Sequence, residues 1–346
     1  VSAVRRGGLL LAVVAALIGC RPDGARRPRR LTLYCSAQHE WCELVARRFE
    51  ADSGIRVSMI RKSTGEVYAQ LWAERRNPKG DVWWGGTGDT HFQAARANLT
   101  RPYRSPRVPE LHAWARDPMR DGQDRTTGIY MGALGIAYNR EWLARKGIAP
   151  PKGWQDLLRP ELKGEIQMAN PNSSGTAYTA LATFVQLYGE EEGFRLLLAL
   201  DANINQYTQS GAAPVRNAAR GEAGVAVVFL HDAATQAAAG FPIELVAPEE
   251  GTGYEVGCVS MVRGARHADE ARAFIDWALS PEAQGLAAEA KAFQIPSHPQ
   301  ATLPPEAPRM DRVPLIDFDF GRFSEKAVRS HLLRRWDEEV KGRGAR

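Results

Sequence analysis

Apolar and polar positions along this chain switch between two periods. Leu31-Thr32-Leu33-Tyr34 reads as a short strand, a helix-period stretch runs from Trp41 to Ala51, and a second strand follows at Ile55 to Ile60. The unit then repeats, with a helix predicted over Val67 to Arg75 and a strand over Asp81 to Trp84. Strands alternating with helices of this length argue for a parallel, doubly wound α/β sheet. Gly128 to Asn139 is a long β-rich stretch able to cross between two lobes, and Glu255 to Val262 is a second one able to cross back. Between them the pattern predicts a strand at Glu165 to Ala169, helices at Ala177 to Tyr188, Glu191 to Leu200 and Val215 to Arg220, and a strongly apolar strand at Gly224 to Leu230. From Asp269 the chain reads as helical, over Asp269 to Leu279 and Pro281 to Lys291. A Pro-rich connector, Pro296 to Pro308, leads to a terminal helix near Glu325 to Val340, whose last residues, Lys341 to Arg346, are expected to fray.

The first residues fall outside this pattern. Arg5 and Arg6 precede an apolar run from Leu9 to Ile18, about half the length a membrane-crossing helix needs, so residues 1–19 read as a signal peptide. The run ends in Leu17-Ile18-Gly19-Cys20, which resembles the lipobox of bacterial lipoproteins and implies cleavage before Cys20 and lipidation of its thiol. The other reading is a non-lipidated signal peptide with a chance cysteine. Arg21 follows Cys20, so the Asp that retains such lipoproteins at the inner membrane is absent.

Composition is that of a globular protein, with 346 residues, 44% hydrophobic and 25% charged, long enough for one large or two medium domains. The formal charge of +5 sits in the leader and in a Pro- and Arg-rich spacer, residues 20–30, that can lie on anionic headgroups. Residues 31–346 hold 38 Lys and Arg against 39 Asp and Glu, so the folded part presents no general excess of positive charge to nucleic acid. No later apolar stretch is long enough to span a bilayer. Cys35 and Cys42, seven apart at a strand end and in the following helix, can form a disulfide in an oxidising compartment or remain as two small unpaired side chains. Cys258 lies in an apolar strand and reads as core.

In doubly wound sheets ligands gather beyond the carboxyl ends of the strands, where helix N-termini point. The three early strands end in Cys35-Ser36-Ala37-Gln38, Lys62-Ser63-Thr64-Gly65 and Gly85-Gly86-Thr87-Gly88-Asp89, all rich in hydroxyls or glycine. Ser63 or Thr64 can cap the helix it opens, with or without an anion beside it. The second lobe offers two more such starts, Asn170-Pro171-Asn172-Ser173-Ser174-Gly175-Thr176 and Ser210-Gly211-Ala212-Ala213-Pro214. His231-Asp232 follows an apolar strand without a spacer, and buried charge there needs partners. Their alternative reading is a helix cap beside a surface histidine. Glu255 lies after a Gly-rich turn, either as a hinge residue or as a ligand acceptor. The glycines at 251, 253 and 257 precede a strand and lack dinucleotide spacing. The pair Trp83-Trp84 offers one ring for stacking on a sugar, although neighbours on a strand face opposite ways.

At these residues the chain resembles the extracellular solute-binding proteins of ABC importers, in the branch labelled ferric-iron-binding. The resemblance is carried by Tyr34-Cys35-Ser36-Ala37-Gln38, by Gly80 to Asp89, by Met168 to Tyr178 and by Gly251-Thr252-Gly253-Tyr254-Glu255, and covers roughly residues 31–340. It implies a two-lobe, type II periplasmic binding protein with doubly wound mixed sheets and a two-segment hinge. The division expected is lobe 1 over 31–132 and 258–346, and lobe 2 over 133–257. Ferric members use an adjacent tyrosine pair, a hard donor set for a hard ion. This sequence has no adjacent tyrosines, and His231-Asp232 stands where the pair is expected. The sugar-phosphate binders of the branch place polar contacts at the positions of Ser63, His231, Asp232 and Glu255. The resemblance then assigns the phosphate to Ser36, Ser63, Thr64, Ser173, Ser174 and Thr176, with Gln38, Thr87, Gly175 and Ser210 completing the ligand set.

The function expected is capture of a small anionic, phosphorylated solute by a lipid-anchored periplasmic monomer that passes it to an ABC permease and its ATPase, with no cofactor, metal or catalysis. Three rivals stand beside it. A ferric-iron binder would show an absorbing Fe(III) complex. A sensor domain serving a membrane kinase would need the same clamp. An exported hydrolase would use His231 and Asp232 as base and orienter, although the chain lacks a G-x-S-x-G elbow, a zinc-type His cluster and a P-loop.

Overall fold

A computed structural model of the chain describes residues 29–116 and 123–341. The expected signal peptide, Cys20 and most of the spacer therefore lie outside the described residues. Strand β1 spans Arg30–Cys35 and pairs in parallel with β2, Arg56–Arg61, and with β3, Val82–Thr87. Thr100–Arg101 forms the short β4, and Thr127–Asn139 the long β5. Strands β6 (Ile166–Ala169), β7 (Ile204–Thr208), β8 (Val225–Phe229) and β9 (Ile243–Val246) belong to the second lobe. Tyr254–Val262 is β10 and Ile295–Pro296 is β11. The strand order is β2-β1-β3-β10-β5-β8-β6-β7, with β4 on β10 and β9 and β11 on β5. Because β10 runs antiparallel to both β3 and β5, and β5 antiparallel to β8, the sheets are mixed.

Strand β5 serves both lobes. Its residues up to Ala133 pair with β10, and from Leu134 onward it pairs with β8 and β9. All but one of its side chains are buried, which explains why it reads as a near-continuous apolar run. The chain returns beside it, where Leu134 N–H donates to Gly253 O (2.9 Å) and Thr252 Oγ1 donates to Leu134 O (3.0 Å). Two adjacent strand segments thus connect the lobes.

The hydrophobic residues divide into two main cores. Leu31, Leu33, Trp41, Phe49, Trp84 and Phe274 share one, and Leu134, Trp154, Tyr178, Phe184, Phe194 and Val225 share the other. This moves the lobe boundary expected from sequence. Helices Ala268–Ala278 and Pro281–Glu289 pack in the first core, but Phe318, Phe323, Leu332, Trp336 and Val340 are buried in the second. The terminal helix, Lys326–Arg335, and the turn of π-helix after it follow the apolar stripe of their own sequence onto lobe 2.

Several elements carry no sequence signal. Helix Gly88–Arg96 opens in a glycine-rich segment and buries Asp89, Thr90, His91 and Gln93 along with Phe92, so its polar residues do not mark a solvent face. Strand β7, Ile-Asn-Gln-Tyr-Thr, is a polar strand at the end of the path. His231 and Asp232 lie in the first turn of helix Leu230–Ala238, which starts one residue after β8 ends. The tryptophans split as strand neighbours must: Trp83 stacks on His91 (3.7 Å between centroids) and Trp84 packs edge-on to Trp41 (4.8 Å), both in the core. Cys35 and Cys42 are joined by a disulfide, their Cα atoms 6.0 Å apart, and Cys258 is buried and free.

Candidate functional site

Between the lobes lies a cavity of about 330 Å³. Five helices of nine or more residues begin at its wall, with Gln38, Ser63, Thr87, Ser174 and Phe229 as their N-cap residues, and each of these residues lines it. The shorter helix Ala213–Ala219 starts at the wall too, from Ala212. The first turn of a helix leaves N–H groups without intrahelical partners and carries the positive end of the dipole, so their convergence favours an anion.

Two arginines line the cavity. Arg61, the last residue of β2, donates from Nε to Ala37 O (3.2 Å), and Arg216 projects from helix Ala213–Ala219. Burial, followed by the charge of Arg216, holds the Arg61 guanidinium below its usual range. Ser36, Ser63, Thr64, Ser174, Thr176 and Ser210 line the same cavity. Glycines let these hydroxyls close in. A Cβ on Gly86, whose φ is +87°, would sit 2.7 Å from Thr64 Oγ1, and one on Gly211 would sit 2.0 Å from Thr176 Oγ1. A Cβ on Gly175 would meet Thr87 Oγ1 at 2.4 Å. That hydroxyl is buried without a partner among the described residues, an unmet polar group at the cavity wall.

The second group is acidic. His231, Asp232 and Glu255 are all buried, with His231 Nε2 lying 3.8 Å from Asp232 Oδ2 and 3.7 Å from Glu255 Oε1. Burial, then the charges of Asp232 and Asp89, pushes the Glu255 carboxyl well above its ordinary range. Burial also lowers His231, against the pull of Asp232. Both groups are thereby driven toward neutral forms, and their approach is not an ion pair. Gln38 Nε2 donates to Asp232 Oδ1 (2.7 Å) across the cleft, and Gln294 Nε2 donates to Gln38 Oε1 (3.0 Å). Two carboxyl groups and an imidazole together can accept from and donate to hydroxyl groups.

The residues expected from sequence gather here with one exception. Ser173 is absent from the wall: its Oγ donates to Gln209 O (2.9 Å) and its carbonyl accepts from Gly65 N–H (3.3 Å), so it joins the lobes at the rim. Ser63 forms a capping box with Glu66, as the simpler reading had it, and still faces the cavity. The cleft is not as poor in cations as the hydroxyl-rich segments suggest. Arg61 closes an alternating strand just before Lys62-Ser63-Thr64, a position from which it could have been anticipated, and Arg216 follows the helix start at Ser210-Gly211. Tyr130, whose hydroxyl accepts from Gly86 N–H (3.0 Å), and Gln294 come from a core strand and a distant loop and leave no local signal.

The profile of the family described as bacterial extracellular solute-binding protein matches residues 77–322. An uncharacterized protein of Haemophilus influenzae is 45% identical over 336 residues, 96% of this chain and 97% of its own length. Among solved structures, the periplasmic binding protein AfuA from Actinobacillus pleuropneumoniae, with exogenous fructose-6-phosphate bound, superposes with a TM-score of 0.88 at 44% identity, covering 90% of this chain and 98% of AfuA. The periplasmic binding protein P5PA superposes with a TM-score of 0.87 at 37% identity, covering 90% and 99% of the two chains. Iron-bound HitA from Pseudomonas aeruginosa shares the fold at 20% identity, with a TM-score of 0.75.

Proposed function

Because the chain belongs to the bacterial extracellular solute-binding proteins, we propose that its cleft captures a sugar phosphate and presents it, lobes closed, to an ABC permease and its ATPase. The observation that carries this reading is the presence of two chemistries in the wall of one cavity. Helix N-termini, hydroxyls and the pair Arg61 and Arg216 suit a phosphate, whereas His231, Asp232 and Glu255 suit the hydroxyls of a sugar. Its volume, about 330 Å³, suits a hexose phosphate with a few waters. Fructose-6-phosphate in AfuA, at 44% identity, points the same way.

Ligand touching both lobes binds the closed form better than the open one and shifts the population toward it. The iron alternative lacks the adjacent tyrosines that ferric members use. On the same reading Cys20 carries a lipid anchor, and mass spectrometry of the exported protein checks that by the mass of its N-terminal peptide.

Thermal melts of the purified protein with fructose 6-phosphate, 3-phosphoglycerate, inorganic phosphate, fructose and ferric citrate test the function. A sugar phosphate at a hundredfold excess over its Kd stabilises the fold by about 2.7 kcal/mol and raises Tm. Release of inorganic phosphate with turnover, or a coloured Fe(III) complex without a response to any phosphorylated compound, would overturn it.

A further inference from the structure

We propose that the Cys35–Cys42 disulfide is a positioning element of the ligand cleft, so that the high-affinity site is assembled only in the oxidised protein; this rests on the sugar-phosphate reading above. The bridge ties the last residue of β1 to the first turn of helix His39–Ser53, and both cysteines are fully buried. The residues it encloses next to β1, Ser36, Ala37, Gln38 and His39, all line the cavity.

This short turn also holds liners that come from elsewhere. Ala37 O accepts from Arg61 Nε, Gln38 donates to Asp232, and Gln294 donates to Gln38. Both the cationic and the acidic groups of the cleft are therefore hung on one loop. Ser36 is tied to the sheet by Trp83 Nε1 (2.9 Å) and through its N–H to Trp84 O (3.0 Å), but the start of the helix lacks a side-chain cap: Gln38 is the N-cap residue and its amide is engaged with Asp232 and Gln294 instead. The covalent clamp stands in for the missing cap.

Closing the bridge removes two protons and two electrons from the Cys35 and Cys42 thiols and passes them to an acceptor disulfide, the chemistry available in an exported compartment and opposed in the cytoplasm. Before oxidation the turn frays and both groups of ligand contacts lose their support. A chain still in the reducing cytoplasm, where phosphorylated sugars are formed, would then bind them weakly.

The experiment compares the oxidised protein with Cys35→Ala/Cys42→Ala, with Cys35→Val/Cys42→Ala, whose side chains refill the apolar space, and with wild type folded in dithiothreitol. Fructose 6-phosphate is titrated calorimetrically well below every melting transition, where loss of global stability leaves Kd untouched, and amide exchange is read over residues 36–42. The expected result is at least tenfold weaker binding and faster exchange at 36–42, with unchanged exchange in helix Gly175–Tyr188. Affinity within twofold of wild type overturns the proposal whatever the exchange shows. If the oxidised protein ignores fructose 6-phosphate, the functional reading fails separately, and exchange at 36–42 alone decides: acceleration supports positioning, and no change overturns it.

Discussion

Gly132 faces Glu255 across the β5–β10 pair, and a Cβ placed on it would lie 2.3 Å from His231 Nδ1. The missing side chain is what lets the imidazole sit beside the two carboxyl groups. Gly132→Ala should therefore displace His231, at a cost of about 1–3 kcal/mol for overpacking, and weaken sugar-phosphate binding at least tenfold; a titration showing unchanged affinity would remove His231 from the site. A different buried histidine governs acid stability. His91 has Nδ1 2.7 Å from Ser260 Oγ and Nε2 3.0 Å from Gly85 O, which fits a neutral ring with its proton on Nε2. Burial, only partly offset by the Gly85 carbonyl, holds it down to about 3 from an ordinary 6.5. The unfolded chain thus binds the extra proton first, and stability drains away as pH falls from about 6.5 to about 3, by up to ~1.4 kcal/mol per unit. His91→Gln keeps a donor and an acceptor without titrating, so denaturant melts across this window should show a shallower loss; an unchanged slope would place the acid sensitivity elsewhere.

At the scale of elements, the terminal helix does more than cover lobe 2. Arg329 reaches Asp89 at the start of helix Gly88–Arg96, both side chains buried, and lies 3.7 Å over the Tyr178 ring. Arg329→Met leaves a buried carboxylate unpaired and should cost about 3–5 kcal/mol; Asp89→Asn beside it should recover part of that, and a loss below 1 kcal/mol in chemical denaturation would contradict the pairing. Breaking the Cys35–Cys42 bridge, which closes a short loop, should cost about 2.5 kcal/mol on loop-closure grounds, read as a lowered Tm. These elements also mark what the sequence could disclose. The β-α-β units and both crossing strands were legible because their apolar periods are strong, as in Leu31 to Tyr34 or Gly128 to Asn139. Helix Gly88–Arg96 was not, because it buries Asp89, Thr90, His91 and Gln93 and so breaks the link between polarity and exposure on which such a reading rests. At the site, hydroxyls clustered at helix starts were visible as local patterns, whereas Arg61, Arg216 and Gln294 meet only through the fold, and Ser173 has the right type and neighbourhood but its hydroxyl is taken by Gln209 O.

For the whole molecule, the two lobes touch across the cleft through Gln38 and Asp232, through Gly65 N–H and Ser173 O, and through Gln209 Nε2 and Glu66 Oε1 (2.6 Å). Each of these is a single hydrogen bond, and a ligand that engages both sides adds to them and shifts the population further toward the closed form. The cavity's two chemistries make a sharper demand: phosphate and sugar must arrive on one molecule. Calorimetric titration with fructose 6-phosphate, with fructose and with inorganic phosphate, each added alone to the intact protein, reads this directly. Saturable one-to-one binding of the phosphorylated sugar, at least a hundredfold tighter than either part, is the predicted result. Equal affinity for fructose or for phosphate by itself would contradict a cleft that reads both ends of its cargo.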